Sequence, residues 1–354
     1  MRKLIGARFY DDPGDSPTPV TGTPRDHDGH GTHVAATAAG SPVADASYYG
    51  LAAGTAKGGS PGSRIAVYRI CTPYGCSGSA IMKAFDYALA DGVDIINLSI
   101  GQPAGAEFEF SKNPIAIGAF HAVEKGILVV ASAGNDGPLR ETVVNVVPWI
   151  FTVAATTIDR NIETHIPLGR NKLIKPDIVA PGTAILAAWP ANDTEVSLSG
   201  QEPPLFNILS GTSLSCPHVS AIAATLKSQN PTWSPSAIRS AIMTTAFQES
   251  NLKSAMLINS AYGKYLATPY DFVEGVATMS GPLKPGLVYE TEITDYLQFL
   301  CSTGYNISTI KLISNTLPNN FSCPTNSSAE SVSNMNYPSI AVSISTEEET
   351  RPEL

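Results

Sequence analysis

No apolar run in the 354 residues approaches the roughly 18 that a membrane span needs, so a membrane is not expected as a partner. Charge is scarce. Only 15% of residues are charged, and acidic side chains outnumber basic ones by 31 to 22. With a net charge of -9 and no Lys/Arg cluster, the chain offers nothing to track a phosphate backbone, which argues against nucleic acid. The five cysteines are too few for a disulfide scaffold. Their positions suggest two pairs, Cys71 with Cys76 and Cys301 with Cys323, leaving Cys216 as a buried free thiol. The basic start over residues 1–8 has no apolar stretch behind it and does not read as a signal peptide. Internal repeats and low-complexity blocks are absent, and 43% apolar residues favour a folded chain.

What is present alternates in the manner of an α/β protein. Short β-branched runs at 65–70, 93–98, 127–131 and 150–155 read as parallel strands covered on both faces. Between them lie a helix capped by Ser77 or Ser79 and ended by Gly92, and another over about 114–124. Residues 156–205 read as loop and short strand, with a proline-punctuated edge at 175–182. A long helix follows from about 212 to 228, and a shorter one over 236–246 with Ile238, Ile242 and Met243 facing inward. The Gly-rich stretch 54–60 has the wrong order for a phosphate loop and reads as an ordinary loop. Sequons stand at Asn192, Asn306, Asn320 and Asn326; the one at Asn97 falls in a predicted buried strand and is set aside.

Two runs carry chemistry. Gly211-Thr212-Ser213 leads into an apolar helical stretch, placing a hydroxyl at a helix N-terminus, and Gly29-His30-Gly31-Thr32-His33 supplies an imidazole. A serine hydroxyl needs such a base, and the oxyanion it creates needs donors already aimed at it. Ser132-Ala133-Gly134-Asn135 follows a buried strand, where α/β sheets place functional groups, so Asn135 is the candidate side-chain donor. Its bland alternative is a turn at Asn135-Asp136-Gly137. His27, His33, His121, His165 and His218 read as structural or exposed. The spacing of His30 and His33 lacks the accompanying glutamate of a zinc helix, so neither metal nor cofactor is expected.

These runs resemble the plant subtilases, subtilisin-like serine proteases. Asn97-Leu98-Ser99-Ile100-Gly101, residues 175–182, residues 285–289 and Asn336-Tyr337-Pro338-Ser339-Ile340 extend the likeness over nearly the whole chain. The resemblance implies a three-layer α/β fold with a mostly parallel central sheet, and serine endopeptidase activity on protein or peptide substrates. His30 would be the base, Ser213 the nucleophile and Asn135 the oxyanion donor. Ser99, Ile100 and Gly101, with Ser132, Ala133 and Gly134, would line the substrate groove. It also implies an extracellular location, a peptidase domain over 1–290, and in 291–354 a linker with the start of a fibronectin-III-like domain. Three parts of the family pattern are not found: a strand-borne aspartate before the histidine, a protease-associated insert near 168–176, and a Ser-Ser-Arg-Gly-Pro run. The alternative is therefore an impaired fragment that binds peptides or inhibitors without cleaving them.

Overall fold

The computed structural model describes residues 2–10, 22–73, 75–106, 108–137, 142–157, 176–190, 201–247, 257–260, 263–266, 274–325, 327, 332 and 335–339. His165, residues 168–175, and the sequons at Asn192 and Asn326 lie outside them.

Strand β1 (Leu4–Phe9) is followed by helix α1 (His30–Ala39) and the hairpin β2 (Val43–Tyr48) and β3 (Leu51–Ala56). Residues 54–56 thus belong to a strand, correcting the loop expected over 54–60. Strand β4 (Ile65–Arg69) leads to the short pair β5 (Cys71–Thr72) and β6 (Gly75–Cys76), tied by the Cys71–Cys76 disulfide. Helix α2 (Gly78–Asp91) starts where Ser77 Oγ accepts the Ala80 N–H at 3.2 Å and stops at Gly92, whose φ of 72° lets the chain turn away. Then come β7 (Ile95–Leu98), α3 (Pro114–Glu124), β8 (Leu128–Ser132), β9 (Ile150–Thr156), β10 (Ile178–Pro181), and the antiparallel β11 (Ile185–Ala188) and β12 (Phe206–Leu209).

Helix α4 (Thr212–Gln229) is followed by α5 (Pro235–Met243), which Ser234 caps. It ends three residues short of the expected 246. The strand pair β13 (Leu257–Ser260) and β14 (Gly263–Leu266) precedes α6 (Ile293–Ser302) and α7 (Ile307–Ile310).

The central sheet runs β10-β9-β8-β7, all parallel. Its strands are apolar on both faces because helices cover both. Leu128, Val130, Phe151, Val153 and Ile178 pack against α4 and α5. The alternate residues Val129, Ala131 and Ile150 pack against α2, α3 and α6. Three layers result. The strand expected at 65–70 is β4, but it pairs in parallel with β1 and not with the central sheet. A crossover through α2 fixes the direction of β4 relative to β7 and leaves adjacency open.

The C-terminal part shares this core. Tyr296, Leu297 and Leu300 of α6 are fully buried in the α2/α3 layer, and Cys301 is bonded to Cys323. A second tie is polar. Arg239 of α5, 2% exposed, lies over the Tyr337 ring at 4.3 Å and donates to Pro148 O and to the Tyr296 hydroxyl. The Tyr337 hydroxyl donates to Asp177 Oδ1, while Asp177 Oδ2 accepts the Thr152 N–H at 2.8 Å. Beside this group, burial and the Asp177 charge push the Glu274 carboxyl up to about 7. Among the described residues no helix is long and apolar enough to cross a membrane.

Candidate active site

Helix α4 is buried nearly all round along its first half, as the central helix between the sheet and α1. Pro217 lies inside it. Lacking an N–H, Pro217 cannot bond the carbonyl four residues back, that of Ser213. The freed Ser213 carbonyl accepts the Ser99 hydroxyl at 2.8 Å, and the Ser213 hydroxyl in turn donates to Ser99 O at 3.2 Å. Asn97 Nδ2 holds Ser99 Oγ at 3.0 Å, and Asn97 Oδ1 accepts from Ser220 Oγ at 2.8 Å. The segment after β7 is thereby docked onto the nucleophile's turn. Asn97 is fully engaged, as expected of a sequon that is not one in the fold.

Asn135 is placed by the same turn. Its Oδ1 accepts the Thr212 N–H at 2.9 Å and the Thr212 hydroxyl at 3.0 Å. A backbone N–H can only donate, so the oxygen end of the amide faces Thr212 and the Nδ2 end is left over. Gly211, with φ of 150°, permits this approach, since a Cβ there would stand 3.3 Å from Asn135 Nδ2. Among the described residues no acceptor takes the Ser213 N–H. Two donors, that N–H and Asn135 Nδ2, are thus unspent among the described residues, both adjoining Thr212.

His30 opens α1. Val34 packs with Leu214; further along, Ser60 donates from its N–H to Ala38 O at 2.9 Å and accepts from the Thr225 hydroxyl at 3.4 Å. Helices α1 and α4 therefore run in the same direction, and His30 and Ser213 stand at the same end of the pair. No hydrogen bond joins them, and no carboxylate bonds His30, among the described residues. The loop before His30 is organised by Asp26. Its Oδ1 accepts from the N–H groups of Asp28 at 3.1 Å and Gly29 at 2.9 Å; its Oδ2 accepts from the N–H and hydroxyl of Thr32, each at 2.7 Å.

A subtilase family profile matches residues 7–264. The chain belongs to the subtilase family. It is 39% identical to the CO(2)-response secreted protease of Arabidopsis thaliana, with 97% of this chain and 64% of that protein aligned. It is 38% identical to subtilisin-like protease SBT5.1 of the same plant, over 97% of this chain and 63% of the relative. The chain thus spans somewhat less than two thirds of the length of these relatives.

Within this subtilase the other histidines divide as their surroundings dictate. His33 is fully buried, with Nε2 facing Ile185 O at 3.0 Å and Asn207 O at 3.2 Å, so that nitrogen carries the proton. Burial holds its pKa below the ordinary value, and its neutral ring ties α1 to β11 and β12. His218 donates from Nδ1 to Leu214 O at 2.7 Å, and burial lowers it likewise. Among the described residues no cluster of three or more His, Cys, Asp or Glu stands together. Cys216 is buried and free, its Sγ directed at Asn97 Oδ1 and Val130 O. Two residues escaped the sequence reading. Asp26 sits in an ordinary Asp-x-x-Gly turn ahead of a helix, a signal that was available; Asn145, treated below, had none.

Proposed function

We propose that this subtilase is a serine endopeptidase acting on protein or peptide substrates. The carrying observation is the arrangement of Asn135: its amide oxygen is held by Thr212, the residue before Ser213, and among the described residues its nitrogen has no acceptor. Ser213 Oγ attacks the scissile carbonyl carbon, its proton passes to the His30 imidazole, and the carbonyl oxygen takes up charge against the two donors. His30 returns the proton to the leaving amine as the C–N bond breaks. Water then repeats the sequence on the acyl-Ser213 ester. Ser99, Ile100 and Gly101, with Ser132, Ala133 and Gly134, line the groove in which an extended substrate lies. An extracellular site of action accords with the name of the CO(2)-response secreted protease described above. The linker and the opening of a fibronectin-III-like domain are read into residues 291–354, whose described part from α6 to Tyr337 packs onto the same core as residues 1–290.

A second reading is favoured by the local geometry: the Ser213 hydroxyl rests on Ser99 O and, among the described residues, no carboxylate bonds His30. In that reading the chain binds peptides or inhibitors without turnover. An alkyl fluorophosphonate probe separates the cases. Labelling of wild type but not of Ser213→Ala supports the endopeptidase, and equal labelling of both removes it. Peptide hydrolysis above the Ser213→Ala background removes the second reading.

A further inference from the structure

We infer that Asn145 is a positioning residue that sets substrate selectivity by clamping the two walls of the groove together. The inference rests on reading 99–101 and 132–134 as substrate-lining segments. Asn145 lies on neither. It sits in the loop before β9, 8% exposed, with φ of 59° in the left-handed region that asparagine tolerates better than most residues. Its Nδ2 donates both hydrogens: one to Ile100 O at 2.9 Å, the other to Ser132 O at 2.9 Å. One amide thus bridges two segments that come from different strands, β7 and β8.

The clamp is itself anchored. Asn145 O accepts the Thr152 hydroxyl at 2.7 Å, fixing the loop to β9, and the neighbouring Val144 N–H donates to Ala133 O at 2.9 Å. Val144 Cγ2 would lie 2.8 Å from a Cβ placed on Gly101, so the floor under the groove is tight on that side. Asn145 also lines a small cavity with Phe108, Phe110, Asn113, Ile115, Val147 and Ile150. Selectivity for the side chain preceding the scissile bond follows from how far apart the clamp lets the two walls move.

Asn145→Gly keeps the backbone conformation available and removes the amide; Asn145→Asp keeps the shape but turns an oxygen toward two carbonyls. The test compares labelling of Ser213 by a plain alkyl fluorophosphonate with labelling by peptidyl diphenyl phosphonates carrying Ala, Leu or Phe before the reactive phosphorus, alongside hydrogen exchange of the native chain. For each variant the plain probe, which places no side chain in the groove, supplies the reference rate by which the peptidyl rates are divided. In Asn145→Gly the Phe-to-Ala preference should shift toward Phe by about tenfold or more, the scale of a lost pocket contact. Backbone exchange at 99–101 and 132–134 should quicken while β9 stays protected. Asn145→Asp should quicken the same exchange. Unchanged preference and unchanged exchange in either folded variant overturn the inference. If the plain probe labels no form of the protein, the endopeptidase reading fails and the exchange result alone decides the clamp.

Discussion

Replacing Asp26 by alanine should loosen the histidine end of the site in a measurable, pH-dependent way. One carboxylate serves three N–H groups and one hydroxyl within seven residues, at 2.7 to 3.1 Å. Loss of a single helix-capping oxygen costs about 0.5–2 kcal/mol, so four acceptor contacts place Asp26→Ala near ~2 kcal/mol. At about 2–4 °C per kcal/mol for a domain of this class, the melting temperature should fall by roughly 4–8 °C at pH 7. Asp26→Asn keeps one acceptor oxygen and should lose about half as much.

The sign with pH follows from the carboxyl. Burial alone would raise its pKa, but the Thr32 hydroxyl and the N–H groups of Gly29, Thr32 and Asp28 outweigh it and hold the value below the ordinary one. A lowered folded value means stability that is fully present above about pH 4 and is lost as pH falls through the folded pKa. Wild type and Asp26→Ala should therefore converge in acid. Because His30 is the first residue of the capped helix, fluorophosphonate labelling of Ser213 should slow in the variant as well. Thermal denaturation by circular dichroism from pH 2 to 8 reads the stability. Equal melting temperatures at pH 7, or a gap that persists undiminished at pH 2, would refute the argument.

Asn135→Ala should lower peptide turnover by about 100- to 1,000-fold with little change in KM, a magnitude taken from a bacterial member of the family; an unchanged turnover number would remove Asn135 from the oxyanion site. Glu274→Gln should gain stability relative to wild type as pH rises from about 4.5 to 7. The carboxyl is pushed up to about 7 by burial and Asp177, so the folded chain holds a proton there that the unfolded chain has released. Parallel pH–stability curves for the two proteins would count against it. Burial pushes the Cys216 thiol up to about 12, so iodoacetamide should leave the native chain unmodified at pH 7.5 and alkylate it once denatured. Mass spectrometry showing native alkylation at Cys216 would contradict the buried setting.

The sequence made the central layer legible because β8 and its neighbours are continuous apolar runs separated by capped helices. Ser77, Asn113 and Ser234 announce those helices through side chains that bond N–H groups two or three residues on. Asn135 could be named because it follows closely on β8, and Ser213 because it stands in the first turn of α4. What stayed hidden was less patterned. All six residues of β1 are exposed, so no alternation marks it, and the β2–β3 hairpin is broken by positive φ at Asp45, Tyr49 and Ala52. Asn145 acts through a bridge between two remote carbonyls, and nothing in Val144-Asn145-Val146 distinguishes it from a loop residue. Asp26 works within seven residues, through an Asp-x-x-Gly wording that ordinary turns share.

The bond from Tyr337 to Asp177, with Arg239 under the Tyr337 ring, has a bearing on synthesis. Asp177 and Arg239 leave the ribosome about 160 and about 98 residues before the tyrosine that completes their group, roughly 5–30 seconds of translation at roughly 5–20 residues per second. Through that interval a guanidinium bound for the interior lacks its aromatic lid. The peptidase core is therefore expected to close only after the far C-terminal segment has emerged. Cutting the gene ahead of residue 335 would remove a structural member of the core, not an appendage.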